Sequence, residues 1–309
     1  MKILVTGGAG FIGSNLVDRL IKDGHEVSVI DNLSTGKREN LNPKAIFHEI
    51  DICDFEKIKP LFGGVDYVFH LAAIPRVPIS VKDPVDTSKS NILGTVSVFK
   101  AASENKVKRI IFASSSSVYG DQKKLPLKED MIPNPISPYA LQKFVGERFA
   151  KLFVQLYQTP IICLRYFNVY GPEIDPGSEY SLVLGKFLTQ KSQGKTLTIF
   201  GDGEQTRGFC YIDDVVEGNI KAMESDKLKG GEIINIGSDK SNSINHLAEL
   251  IGGEVQYLPP RAGDVLHTKA DINLAKDLLD WRPEVSFEQG IRKTMEWFSE
   301  RSLRKNYKI

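Results

Sequence analysis

The chain has 309 residues, 41% of them hydrophobic, enough to bury one large core or one large and one smaller lobe. Forty Lys plus Arg against 39 Asp plus Glu give a formal charge of +1, which argues against nucleic acid or a membrane surface as partner and for a small-molecule ligand. The three cysteines, Cys53, Cys163 and Cys210, lack paired C-x-x-C spacing, so no metal site is expected; reduced thiols, a start that runs straight into a glycine turn, and no apolar run of about 20 residues predict a soluble cytoplasmic protein without a signal peptide.

Short runs rich in Val, Ile and Phe alternate with longer amphipathic stretches, the pattern of β-α units that build a parallel sheet. Lys2–Thr6, Glu26–Asp31, Ala45–Glu49, Tyr67–Leu71, Arg109–Ser114 and Ile161–Tyr166 read as strands; Ser14–Asp23, Thr87–Asn105 and Tyr139–Tyr157 repeat their apolar residues at helical spacing. Right-handed crossovers between such strands predict an α/β fold with a doubly wound parallel (Rossmann) sheet over residues 1–167. After Asn168, Pro and Gly become frequent and the alternation is lost, so residues 168–309 are expected to form mainly a second, smaller α/β substrate-binding lobe. Gly231–Gly237, G-E-I-I-N-I-G, again reads as a buried strand, which predicts a return of the chain to the first sheet near residues 209–238.

Gly7-Gly8-Ala9-Gly10-Phe11-Ile12-Gly13 follows the first strand and opens a helix, so backbone N–H groups and the positive helix end face the place where a pyrophosphate sits. Asp31 ends the second strand 18 residues after Gly13, close to the spacing of about 20 at which an acidic residue accepts from a ribose diol. A 2′-phosphate would meet carboxylate repulsion there, so NAD is favoured over NADP. Asp51-Ile52, just after the third strand, is placed either to meet the adenine edge or simply to end a strand at the surface.

Ser114–Ser117 follow the fifth strand, at the edge where a doubly wound sheet binds its ligands. In Tyr139-Ala-Leu-Gln-Lys143 a spacing of four puts phenol and ammonium on one helix face. A phenol with a pKa near 10 is a poor base at neutral pH, but a nearby ammonium and a cationic nicotinamide both favour phenolate. Lys143 is also placed to hold the nicotinamide ribose, and a Ser hydroxyl to share the substrate's proton.

With these pieces in order, the sequence resembles the extended short-chain dehydrogenase/reductases, and within them the nucleotide-sugar 4-epimerases. The matching motifs are T-G-G-A-G-F-I-G, D-N-L-S-T-G, H-L-A-A, N-I-L-G-T, S-S-S-S-V-Y-G, S-P-Y-A-L-Q-K, R-Y-F-N-V-Y-G-P and R-A-G-D-V, and they cover nearly the whole chain. The resemblance implies an NAD site of Gly7, Gly10, Phe11, Ile12, Gly13, Asp31, Asn32, Asp51, Ile52, Leu71 and Ala72, joined by Tyr139 and Lys143. It implies that Ser115, Tyr139 and Lys143 carry catalysis; Ser115 is chosen by counting back from Val118-Tyr119-Gly120, with Ser116 as the alternative. It further implies a UDP-sugar substrate, with Ser115, Ser116 and Tyr139 at the sugar, Asn168, Arg207 and Arg261 at the diphosphate and Asp264 at a ribose, and a homodimer in which Thr87–Asn105 and Tyr139–Tyr157 pair as four helices.

An arginine fork suits phosphate oxygens, although Gly208 stands where relatives commonly carry Asp. Related dehydratases and decarboxylases carry an acidic residue beside the catalytic Ser or Thr, whereas Ser116-Ser117-Val118 are uncharged. What remains is reversible oxidation at C4 of UDP-hexoses, plain or N-acetylated. Thr268, four residues after Asp264, falls where a bulky Tyr goes with plain hexoses and a small residue with N-acetylhexosamines or uronates; the Pro176–Val183 segment also resembles the hexosamine type. Arg76, after H-L-A-A, stands where hexosamine-type relatives have a small residue, and reads either as a surface arginine or as a contact to a carboxylate or acetamido group that would admit uronates. Two other classes stay open: an oxidoreductase that releases NADH, and a non-catalytic NAD sensor, against which the complete Ser, Tyr and Lys set argues.

Overall fold

The computed structural model describes residues 1–174, 183–260 and 266–306, with side chains as far as Arg301. In chain order, β1 (Lys2–Thr6), α1 (Phe11–Lys22), β2 (Glu26–Asp31), β3 (Ile46–Glu49), α2 (Phe55–Ile58) and β4 (Tyr67–His70) come first. They are followed by α3 (Val77–Lys82), α4 (Pro84–Ser88), a π-helical turn at Lys89–Gly94, α5 (Thr95–Glu104), β5 (Arg109–Ser115), α6 (Pro138–Tyr157) and β6 (Ile161–Tyr166). The remainder runs β7 (Val169–Tyr170), α7 (Val183–Ser192), β8 (Leu197–Phe200), β9 (Thr206–Arg207), β10 (Cys210–Tyr211), α8 (Ile212–Glu224), β11 (Ile233–Ile236), β12 (Asn242–Ser243), α9 (Ile244–Ile251), β13 (Val255–Leu258), α10 (Asn273–Leu279) and α11 (Phe287–Asn306).

Seven strands form one sheet in the order β11-β6-β5-β4-β1-β2-β3, every pair parallel. The order reverses between β1 and β4, which opens a crevice at their carboxyl ends, the place where such sheets bind ligands. Strand alternation explains why both faces are covered. Ile3, Val5, Ile111, Ala113, Ile162 and Leu164 join one buried cluster with Leu16, Val17 and Leu20 of α1, while Leu4, Ile110, Phe112, Ile161 and Cys163 join a second with Phe99, Ala150 and Phe153. Each such buried large side chain contributes about 1.5–3 kcal/mol. The first cluster continues through Phe187, Leu247 and Ile291, so α7, α9 and α11 share a core with the sheet. There β8 pairs with β13, and β9 with β12.

The G-E-I-I-N-I-G segment does return: Ile233–Ile236 lie parallel to Cys163–Tyr166 at the edge of the sheet. Two helices differ from their expected form. α1 begins at Phe11 rather than Ser14, capped by the backbone of Gly10. The expected helix Thr87–Asn105 is instead α4, the π-helical turn and α5. The widened turn carries Asn91, whose amide spans three partners: Oδ1 accepts from Ile74 N at 2.8 Å, and Nδ2 donates to Ile74 O at 3.0 Å and Gln142 Oε1 at 2.7 Å. Helical periodicity cannot register one extra residue in a turn whose reason lies on a neighbouring loop. α6 begins where expected, with Ser137 Oγ accepting from Ala140 N at 3.2 Å and Pro138 in the first turn. Its buried stripe of Ala140, Gly146, Ala150 and Phe153 is interrupted by two charged residues, Lys143 and Glu147. No helix of the described residues is long and apolar enough to cross a membrane.

Candidate active site

One cleft of about 960 Å³ follows the carboxyl ends of β1, β2, β4 and β5 and continues toward β9. Its first half is made largely of backbone. Gly7 has φ +77, and a Cβ on it would stand 2.6 Å from Ala72 N; a Cβ on Gly13 would stand 2.1 Å from Gly7 O. Only glycine permits this tight turn against the β4 loop. No side chain caps the start of α1, so the N–H groups of its first turn are left for an anion. Asp31 receives Ala9 N at 3.0 Å on Oδ2 and Leu33 N at 2.8 Å on Oδ1, which hold the carboxylate at the cleft wall; burial nevertheless pushes its pKa above the ordinary carboxylate range. Asp51 is tied to Asn32, which donates Nδ2–H to Oδ2 at 3.0 Å, and to Cys53 N at 2.8 Å. Burial favours the neutral acid, yet these bonds and Lys89 outweigh it and lower the Asp51 pKa. Asp51 lines the cleft, as do Asn32, Ile52, Leu71 and Ala72. A glycine cradle too tight for any Cβ, an uncapped helix start and a fixed carboxylate match the diphosphate and ribose of a dinucleotide.

At the end of β5, Ser115 Oγ accepts from Ser117 N at 3.2 Å and from Ser117 Oγ at 2.9 Å. The Ser115 hydroxyl acts on the Tyr139 phenol, and Ser115, Ser116 and Tyr139 all line the cleft. Desolvation raises the Tyr139 pKa and the Ser115 hydroxyl opposes the rise, so the protein alone keeps the phenol protonated at neutral pH. Lys143 is no solvated surface charge: it is 4% exposed, donates to Ala113 O at 2.7 Å, and holds its Nζ 6.0 Å from the centre of the Tyr139 ring. Burial pulls its pKa down to about 8. The arrangement places a phenol, a Ser hydroxyl and a buried ammonium one helical turn away where a proton can pass between a substrate hydroxyl and the phenol.

The far half of the cleft is built by side chains. Asn168, at φ +36, donates Nδ2–H to Thr268 Oγ1 at 3.1 Å and to Gly208 O at 3.3 Å. Arg207 donates Nη1–H to the carbonyls of Thr206 and Leu266, both at 3.0 Å. All three residues line the cleft, as does Arg76 from the β4 side. Arg261 and Asp264 lie outside the described residues, as does most of Pro176–Val183.

Several supporting groups were missed by the sequence reading. His70 is fully buried, with Nδ1 2.7 Å from Thr6 Oγ1 and Nε2 3.0 Å from Thr95 Oγ1. Thr95 gives its own proton to Asn91 O at 2.7 Å, so His70 Nε2–H donates to it and Nδ1 accepts from Thr6. Burial and the Lys143 charge lower the His70 pKa to about 3. Beneath Ser115, Ser114 donates to Glu147 Oε1 at 2.7 Å, and Glu147 holds Arg165 through two bonds of 2.8 Å. Ser80 Oγ accepts Tyr139 N at 3.0 Å. A charged residue on the apolar face of α6, four after Lys143, was the one available signal, and it pointed to Glu147.

Residues 3–237 match the model of the NAD dependent epimerase/dehydratase family. The UDP-glucose 4-epimerase of Mycolicibacterium smegmatis is 38% identical over 320 residues, spanning 98% of this chain and all of that protein. The crystal structure of UDP-glucose 4-epimerase with UDP-glucose from Thermotoga maritima superposes with a TM-score of 0.93 at 42% identity, covering 98% of this chain and 100% of that one. The UDP-N-acetylglucosamine 4-epimerase of Methanobrevibacter ruminantium M1, in complex with UDP-N-acetylmuramic acid, superposes with a TM-score of 0.92 at 40% identity, covering 97% and 98%. With the glycine cradle and the Ser115, Tyr139 and Lys143 cluster in place, the chain is an NAD-dependent enzyme and belongs to the NAD dependent epimerase/dehydratase family.

Proposed function

We propose that this protein is a UDP-hexose 4-epimerase acting on UDP-glucose and UDP-galactose and on UDP-N-acetylglucosamine and UDP-N-acetylgalactosamine. The observation that carries the reading is that Ser115, Tyr139 and Lys143 line one cleft with the glycine turn, with Lys143 Nζ 6.0 Å from the centre of the Tyr139 ring. The three relatives above, each a UDP-sugar 4-epimerase, support it.

Bound NAD supplies a hydride acceptor at the sugar's C4 and a positive charge that favours the phenolate. Gly7, Gly10, Phe11, Ile12 and Gly13 would hold the cofactor's diphosphate and Asp31 its adenosine ribose, with Asn32, Asp51 and Ile52 at the adenine and Leu71 and Ala72 along the β4 side. Tyr139 takes the C4 hydroxyl proton, Ser115 shares that proton and orients the hydroxyl, and Lys143 holds the phenolate's charge and the nicotinamide ribose. The 4-keto sugar turns about its diphosphate linkage to present its other face, C4 regains its hydride on that face, and Tyr139 returns the proton to the C4 oxygen. Hydride is removed and given back in each cycle, so no external oxidant is consumed. Asn168, Arg207, Arg261 and Asp264 hold UDP, and the small Thr268 leaves space for an acetamido group to sweep past.

α6 also exposes Leu141, Leu152 and Leu156, and Val85 and Leu93 are exposed on the neighbouring segment. We assign these to a homodimer formed by α6 and residues 84–104 with a second copy, which sedimentation should find as a species of twice the chain mass. The reaction itself is tested by incubating the enzyme with single UDP-sugars and resolving C4 epimers. Interconversion without accumulation of NADH absorbance is expected; steady NADH release would replace this reading with an oxidoreductase.

A further inference from the structure

The ion pair of Glu147 and Arg165 is closed to solvent: Glu147 is 0% exposed and Arg165 1%, and two bonds of 2.8 Å join them. Taking two charges out of water is costly, and apolar side chains of similar volume often fill such a place at no loss of stability. The neighbours on the same stripe of α6, Ala140, Gly146, Ala150 and Phe153, carry no charge. Packing alone therefore asks for no ion pair here.

What the pair touches gives it a use. Tyr139, Lys143 and Glu147 are spaced by four along α6 and so share one face of that helix. Against them run three consecutive residues of β5. Ala113 O accepts from Lys143 Nζ at 2.7 Å, Ser114 Oγ donates to Glu147 Oε1 at 2.7 Å, and Ser115, whose side chain leaves the strand on the other side from Ser114, lines the cleft. Arg165 is the register partner of Ser114 on β6, and its guanidinium carbon stands 4.5 Å from the centre of the Tyr119 ring. Tyr119 closes the short helical turn Ser116–Tyr119 that follows Ser115, and its phenol donates to Asn235 Oδ1 at 2.7 Å. The pair thus grips the residue just before Ser115 and the turn just after it, from the helix that carries Tyr139.

We propose that Glu147 and Arg165 are positioning residues for proton transfer: their pair sets the Ser115 hydroxyl against the Tyr139 phenol. They act through Ser115 rather than on the sugar or the cofactor. A fork of two parallel charge-assisted bonds fixes direction as well as distance, which an apolar contact does not. The inference rests on the proposed function in taking Ser115 and Tyr139 as the groups that move the C4 proton. Misplacing reacting groups by about 1 Å can cost about a hundredfold in rate, so the effect is large enough to measure.

The test is a double-mutant cycle on the NAD-loaded enzyme. Glu147→Gln keeps the shape and one acceptor oxygen for Ser114 but leaves the Arg165 charge unbalanced; Ser115→Ala removes the group that the pair positions. The rate read is hydride transfer from UDP-glucose to bound NAD, followed as nicotinamide absorbance after rapid mixing, with C4 interconversion measured on the same samples. With Ser115 present, Glu147→Gln should slow the transfer about a hundredfold while the Kd values for NAD and UDP-glucose stay near wild type. In the Ser115→Ala background the same change should cost about threefold or less, because the two residues act as one unit. Equal losses in both backgrounds, the mark of a merely structural role, overturn the inference. A thermal melt accompanies each variant. Ser114→Ala leaves the pair intact and cuts only its tie to β5, so it carries the cycle if Glu147→Gln does not fold, with a loss of about tenfold expected when Ser115 is present. Glu147→Leu combined with Arg165→Met, an apolar exchange, should melt at or above the wild-type temperature and still be slow; a stable apolar variant with the wild-type rate also overturns the inference. Hydride transfer that depends on Glu147 only through Ser115, without C4 interconversion, overturns the epimerase reading and leaves the positioning role standing.

Discussion

The two halves of the cleft are built from different materials. At the cofactor end, the chain offers backbone: a turn whose glycines cannot accept a Cβ, the N–H groups of α1, and Asp31 fixed by two main-chain donors. At the proposed substrate end, Arg207 of β9 bonds the carbonyl of Leu266 and Asn168 bonds the hydroxyl of Thr268, beside the two-residue pairing of β9 with β12. The first half is carried on the carboxyl ends of a seven-stranded sheet. The second takes its form from side-chain bonds that a different sugar could rearrange. Substitutions should therefore break the first half outright and tune the second.

The largest effect is expected where the two halves meet. Tyr139→Phe should leave NAD and UDP-sugar binding near wild type while lowering kcat by about 10²–10⁴, the usual cost of losing a general base. Turnover near wild type would show that another group moves the proton. Gly13→Ala comes next: its methyl carbon would meet Gly7 O at 2.1 Å, so the turn must shift. A loss of NAD affinity of about a hundredfold, within what overpacking costs, is expected in a titration of the cofactor-free protein. An unchanged affinity would mean that the cradle yields as easily as a surface loop.

Thr268→Tyr tests the adaptable half. The ring should reduce kcat/KM on UDP-N-acetylglucosamine relative to UDP-glucose by about tenfold, consistent with about 1–3 kcal/mol of crowding; an equal effect on both sugars would remove Thr268 as a gate. The mildest perturbation is acid. His70 keeps a folded pKa of about 3 against an ordinary 6.5, so between those values the unfolded chain binds the extra proton. Stability should fall as pH drops through that window, and His70→Gln should flatten the slope in urea titrations between pH 6 and 4.

The contrast also explains what could be read from the sequence. Most strands of the main sheet, including the late return at Ile233, were legible because burial on both faces demands unbroken apolar runs, although the edge strand β3 is half exposed. The glycine turn, Asp31 and the Tyr139 to Lys143 spacing were legible because local geometry dictates them. The break in the helix at Asn91 was not, since its cause is Ile74 on another loop. Neither was the tie from Thr268 to Asn168, which joins positions 100 residues apart. The hydroxyl of Thr268 is turned to Asn168 and Gly208, a partnership that no spacing announces.

The edge strand β11 carries a consequence for how the protein is made. β6 is buried along its whole length, with β5 on one side and β11 on the other. A ribosome delivers β6 long before Ile233–Ile236, so for that interval the nascent sheet ends in an apolar strand with unpaired backbone groups, the kind of edge that recruits other chains. Fragments that stop near Phe167 inherit that edge permanently and are expected to precipitate. A split or permuted version of this enzyme should keep β6 and β11 on the same piece.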